Sequence, residues 1–244
     1  MRLQGTIDRR ILVNFRVRPD RLAAVLPEPF RPQLVGGYGM AGICLIRLRD
    51  VRPAWLPSPL GIGSENAAHR IAVEWTVAGQ TQSGVYIPRR DTSSRLNAYL
   101  GGWLFPGEHQ LARFEVAESA SSLRVMMHSC DGAASVSVEG QVTDHLPTDS
   151  VFDSVGEASR FFECGSLGYS PNGRKQCFDG LELRVSDWRV QPLHIEQVHS
   201  DFFENEQLFP AGSVVFDNGL LMRGIHHQWH SREMLPMCEA AAAS

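Results

Sequence analysis

Lysine is almost absent from this chain: of 23 basic residues, all but Lys175 are arginine. Arginine offers a planar, permanently charged fork, whereas a buried lysine can lose its proton and act as a nucleophile. Such a chain is well equipped to hold carboxylates and poorly equipped for imine chemistry. Long apolar runs are also missing. No segment approaches the ~20 residues needed to span a bilayer, and the opening MRLQGTIDRR has no apolar signal-peptide core. The five cysteines, Cys44, Cys130, Cys164, Cys177 and Cys238, are widely spaced with no Cys-x-x-Cys pair. Neither a disulfide framework nor a zinc site is expected, and a reduced, cytoplasmic protein is the simplest reading. No Gly-rich phosphate loop or nucleophile elbow appears, which disfavours NAD, FAD and ATP enzymes and leaves no cofactor expected. The net charge of −4 comes from mixed signs without long runs, which argues against nucleic acid or a membrane as partner.

What is present is mostly strand. In RIAVEWTV, Ile71, Val73, Trp75 and Val77 share one face while Arg70, Glu74 and Thr76 share the other. SLRVMMHS, ASVSVEGQVTD and LELRVSDWRVQ alternate in the same way, and GMAGICLIRLRDV reads as a strand buried on both faces. Asn218-Gly219, between two strand-like runs, predicts a hairpin. Helical signals are fewer: RPDRLAAVLPEPF with Asp20 as cap, TSSRLNAYLGGWLF with Ser93 or Ser94 as cap, and SVGEASRFFECG with a Ser154–Glu157 capping box ended by Gly165. Short connections favour antiparallel pairing. The expectation is one mainly β domain with a few short helices over residues 1–235, and a flexible tail over 236–244.

The run ILVNFRVRPDRLAAVLPEPFRPQLVGGYGMAGICLIRLRDVRP resembles the opening of an uncharacterised bacterial family of the acetoacetate decarboxylase-like superfamily. GSENAAHRIAVEWTV, GVYIPRRDTSSRLNAYLGGWLFPGEHQLARFEV and HSDFF continue the resemblance to about Phe203. It implies a curved, cone-like antiparallel β-barrel with a small internal pocket, assembled as a homo-oligomer. In acetoacetate decarboxylase a Tyr-Pro-Lys-Lys run supplies a Schiff-base lysine of depressed pKa. The matching stretch here reads near Pro106, Gly107, Glu108 and His109, and Lys175 falls far downstream in what reads as an exposed turn. Imine chemistry does not carry over. The resemblance further matches a pocket glutamate to Glu65, and a first-strand arginine to Arg9 or Arg10.

Each candidate has a plainer alternative. Glu65 reads as a general acid or base with Arg70 holding a substrate carboxylate, or as a strand-entry carboxylate paired with Arg70. In YIPRRDTSSRLN, Tyr86, Arg95 and Asn97 are assigned to substrate binding, whereas Arg89 and Arg90 read as a surface network with Asp91. His109, nearest the missing lysines, reads as a proton carrier or as a turn histidine facing water. His199 is assigned to the pocket mouth, against a capping role. HHQWH reads as an edge strand with solvated histidines and no metal, since no carboxylate completes a ligand set. Cys44 reads as an inert buried thiol. Together these residues predict a pocket for a carboxylated or carbonyl-bearing small molecule, run by a lyase or isomerase without imine catalysis. The alternative is a non-catalytic binding or sensing module that kept the barrel.

Overall fold

A computed structural model describes residues 2–57, 61–101 and 107–237. The chain begins with β1 (Arg2–Val17), turns through helix α1 (Pro19–Val25) and passes two short strands, β2 (Arg31–Pro32) and β3 (Leu34–Val35), into β4 (Tyr38–Pro53). The hairpin of β5 (Ile62–Val77) and β6 (Gln80–Thr92) leads to helix α2 (Arg95–Leu100). A meander of β7 (Gln110–Glu118), β8 (Ser122–Ser129) and β9 (Ser135–Val142) follows. Helix α3 (Val155–Cys164) then precedes the hairpin β10 (Leu167–Asn172) and β11 (Cys177–Val185). The chain continues through β12 (Gln191–Ser200) and the long β13 (Val214–Pro236). The end of the expected tail, residues 238–244, lies outside the described residues.

All the strands belong to one sheet; short β2 and β3 add to β5 and β4, and β6 and β13 branch in a way that closes it. On the edge away from β5, β6 pairs with β10 at Val85 and Tyr86 and with β7 at Asp91 and Thr92, both in parallel. On the edge away from β1, β13 pairs with β12 at Gly219–Leu221 and with β11 from His227 to Pro236. Every other pairing is antiparallel, as the short connections predict. The branches close the sheet on itself twice. One ring runs β13–β1–β4–β5–β6–β10–β11, the other β13–β1–β4–β5–β6–β7–β8–β9–β12, and five strands serve both.

The shared strands therefore have an interior on each side. One face, with Ile11, Val13, Ile43, Leu45, Ile71 and Trp75, fills the larger ring against Val125, Met127, Val136 and Val138. The other face, with Arg10, Leu12, Cys44 and Ala68, belongs to the smaller ring. This double burial is why β4 reads as apolar on both faces. At one end of the smaller ring, Ala158 and Phe162 of α3 pack on Leu12, Cys44, Ala72 and Leu220. At the other, Ile7, Leu48, Met222 and Ile225 form a second plug.

The local signals fare unevenly. Ser154 caps α3 through Glu157 N, Gly165 ends it, and Glu157 reaches back to Asp153 N. Ser94 caps α2. Asp20 does not cap α1: Arg18 is the N-cap, Pro19 takes the first turn, and Asp20 pairs with Arg18 and Arg21. The hairpin expected at Asn218-Gly219 is absent, because β13 runs straight through both residues. Gly219 is there for close approach. A Cβ on it would lie 2.5 Å from the Leu193 carbonyl oxygen of β12.

Because one interior is filled and the other hollow, matched truncations should differ. Phe30, whose ring meets Trp75, Tyr86, Tyr169 and Phe178, should cost about 3–5 kcal/mol as Phe30→Ala. Ile87, which already borders empty space, should cost about 2 kcal/mol or less as Ile87→Ala. Urea midpoints at unchanged slope would report both.

Candidate functional site

The smaller ring encloses a cavity of about 320 Å³, to which all seven of its strands contribute wall. Most of that wall is apolar: Ile46, Leu48, Val85, Ile87, Leu183 and Trp229 are typical. Into it project Arg10, Arg70 and Arg90. Asn66 and Asn97 add amides, and Leu96 and Asn97 bring one side of α2 to the mouth.

The three arginines are held by partners other than carboxylates. Arg10 donates from Nε to Cys44 Sγ at 3.4 Å and lies over the Trp188 ring at 5.4 Å. Arg70 donates to Asn14 Oδ1 and stacks on Phe162 at 4.9 Å. Arg90 donates from Nε to Ser170 Oγ at 2.8 Å. None forms an ion pair with a carboxylate among the described residues, and Arg10 Nη1 and Arg70 Nε are buried without a partner. Burial pulls Arg70 and Arg90 down to about 10, so both remain cationic at neutral pH. Asp91, which also lines the cavity, is gripped by Arg89, whose guanidinium holds Asp131 as well.

His109 stands beside Arg90. Its Nδ1 is 3.0 Å from the Gly107 carbonyl oxygen. A carbonyl only accepts, so Nδ1 carries the hydrogen and Nε2 keeps a lone pair. Burial, then the Arg90 charge, pushes His109 down to about 3. The imidazole is therefore neutral at physiological pH. Gly107 sits at φ +81°, where a Cβ would come 3.1 Å from Arg90 Nε and from Ser170 Cβ. Its amide donates to Asp179 Oδ2 at 3.0 Å.

Of the residues singled out in the sequence, Arg10, Arg70, Asn97 and His109 border this cavity. Between Arg9 and Arg10, it is Arg10 that faces the hollow. Arg9 is fully buried on the opposite face and donates to Glu65 at 2.5 Å and to Glu118 at 2.7 Å. Glu65 stands on that same opposite face, shared with Arg47 at 2.5 Å rather than paired with Arg70. Burial raises Glu118, but the two arginines outweigh it and hold the carboxyl low. Tyr86 points into the filled interior beside Phe30 and Phe178, and burial raises it to about 12. Arg95 is exposed on α2. His199 lies near the end of β12, opposite Ser137 of β9, its two ring nitrogens 2.8 Å from Glu204 and 2.9 Å from Asp201.

Two further sequence expectations are corrected here. Arg90 borders the cavity instead of joining Arg89 in a surface network, because consecutive strand residues face opposite ways. Cys44 is buried, as expected, and also borders the hollow. HHQWH is not an edge strand: β1 flanks it on one side and β11 on the other. His227 is buried there with neither ring nitrogen partnered, facing a second, polar cavity of about 500 Å³ that shares Arg52 with the first.

Residues 5–219 match a family model described as an uncharacterized conserved protein, DUF2071. The chain belongs to this family. Among solved structures, the acetoacetate decarboxylase of Legionella pneumophila superposes on the DUF2071 chain with a TM-score of 0.57. That match covers 99% of this chain and 88% of the other at 15% identity. An acetoacetate decarboxylase-like enzyme from Sphingomonas wittichii RW1 gives 0.59 over 97% and 94%, also at 15% identity. The enduracididine biosynthesis enzyme MppR, complexed with pyruvate, gives 0.57 over 97% and 90% at 12% identity. No curated protein sequence matches the chain. The fold is acetoacetate decarboxylase-like.

Two tests follow from the site geometry. Glu65→Gln should destabilise the fold by about 1–3 kcal/mol, since it strips one charge from the Arg9–Arg47 clamp, and should leave ligand affinity unchanged. The imidazoles of His69 and His227 are both lowered to about 4, chiefly by burial. A depressed histidine pKa means the unfolded chain takes up protons first. Stability should therefore hold above the unfolded pKa and fall as pH drops from about 6.5 towards 4, by about 1.4 kcal/mol per pH unit for each ring. Urea unfolding at pH 7.0, 5.5 and 4.5 would measure the slope, and His69→Gln should remove one ring's share of it, leaving those of His227 and His109.

Proposed function

We propose that this protein binds a small, carboxylate-bearing metabolite in the cavity of the smaller ring and acts on it, as a lyase or isomerase, without forming an imine. The observation that carries this reading is the set of guanidiniums from Arg10, Arg70 and Arg90, turned into an apolar hollow without carboxylate partners. Charged donors left unpaired in a desolvated wall are costly unless an anion completes them. A planar fork matches a carboxylate with two hydrogen bonds at once. MppR, of similar fold, is described in complex with pyruvate, an anion of this class.

The amine needed for an imine is missing from the cavity. Lys175, the one lysine, stands on the β10–β11 turn and pairs with Asp179 at 3.8 Å. His109 is the group placed to move a proton: burial and the Arg90 charge leave its Nε2 a weak base, a bound carboxylate answering Arg90 would restore proton affinity to it, and the same charge would stabilise a developing oxyanion. Asp91 and Glu65 are already committed to arginines. That commitment favours a second reading, a binding or sensing module with no turnover.

Calorimetric titration with pyruvate and acetoacetate should detect binding, and Arg70→Met should weaken it by about tenfold or more, the loss of one charge-assisted contact. Borohydride added with either keto acid should leave the protein mass unchanged; a reduced adduct on Lys175 would refute the imine-free chemistry. Proton NMR of the bound acids separates an enzyme from a sensor, and His109→Gln should abolish any turnover while sparing affinity.

A further inference from the structure

Taking the carboxylate reading as its starting point, we infer that the ligand is a dianion: two carboxylates joined by a short carbon spine, one held by Arg10 and Arg70 and the other by Arg90.

The inference rests on charge and position together. Four arginines border the cavity: Arg10, Arg52, Arg70 and Arg90. Arg52 is neutralised by Asp50, and the lining carboxylate Asp91 is taken by Arg89. That leaves Arg10, Arg70 and Arg90 without ion pairs among the described residues. Cys44 bears electrostatically on both Arg70 and Arg90 and accepts from Arg10, so one sulfur is shared among three guanidiniums, and the nearest carboxylates are occupied. Asp179, which bears electrostatically on Arg90, already holds Lys175, Gly107 N and Asn172 Nδ2. Asp217 reaches Arg70 only through Asn218 and Asn14, and it pairs with Arg16 at 3.3 Å. One carboxylate would leave most of this charge buried and unanswered, a cost far above that of one missing hydrogen bond.

The cations also fall into two poles. Arg10 on β1 and Arg70 on β5 are backed by the Trp188 and Phe162 rings. Arg90, on β6, is backed instead by Ser170 and lies beside Gly107 and His109. From Arg10 on β1 to Arg90 on β6 is three strand spacings, about 14 Å along the curved wall; Arg70 stands on β5 between them, one spacing from β6, and is grouped with Arg10 because the Arg10 charge bears on it. Inward-reaching side chains shorten that gap across the hollow, and Cys44, Asn66 and Ala68 line the wall between. A compact anion such as phosphate would reach one pole; two carboxylates on a chain reach both.

Calorimetry on the full chain at fixed ionic strength, with butyrate, malonate, succinate, glutarate and inorganic phosphate, decides the matter. At least one dicarboxylate should bind about tenfold or more tightly than butyrate, the worth of a second charged contact. Arg90→Gln should erase that advantage, leaving the variant with equal affinity for the dicarboxylate and for butyrate. Should the variant fail to fold, the wild-type series still decides. Butyrate equal to every dicarboxylate would overturn the dianion and leave the carboxylate reading intact. Phosphate binding above every dicarboxylate would overturn the two-carboxylate spine, and no binding by any of the five would bring down both.

Discussion

The arrangement depends on β6 and β13 each hydrogen-bonding, along one edge, to two different partners. A strand has a single row of backbone donors and acceptors per edge, so branching requires one partner to stop where the next begins. Here β10 leaves β6 at Tyr86 and β7 joins at Asp91; β12 covers β13 near Leu221 and β11 takes over from His227. The wall between the branch points then separates two interiors. Neither of its faces meets bulk water for most of its length.

That division sorts the chemistry by residue parity. On β1, Arg9 and Ile11 serve the filled interior while Arg10 and Leu12 serve the hollow one; on β5, Glu65 and Ala67 oppose Asn66 and Ala68. An ionic knot of Arg9, Glu65, Arg47 and Glu118 sits on one side. The unpaired guanidiniums sit on the other. The two clusters share a backbone and have opposite logic: one is self-satisfied and holds strands together, the other waits for a counter-charge.

Much of the fold was legible because strand period and caps are local. Ser154, Gly165 and Ser94 act as written, and the alternation in RIAVEWTV places Ile71, Val73 and Trp75 inside. Asn218-Gly219 misled because glycine has two uses, turning and close approach, and only the path of β12 reveals which applies. At the site, a one-residue uncertainty in register separated Arg9 from Arg10, and Glu65 was drawn from the resemblance alone, which does not say that Arg9 and Arg47 clamp it on the other side of the wall. Arg90 was missed because the dipeptide Arg89-Arg90 looks like one surface feature, although a strand sends its members to opposite sides. Nothing local marks His227 as buried, since its cover comes from β1 and β11, distant in sequence.

The solitary ammonium at Lys175 has a practical meaning for anyone handling this molecule. Its counter-ion, Asp179, also holds the Gly107 amide, and Gly107 in turn orients His109. Acylating reagents used for immobilisation or dye coupling would find this one side-chain amine and cancel its charge. They would leave a buried carboxylate unbalanced within two contacts of the imidazole, so a tag placed there is no bystander.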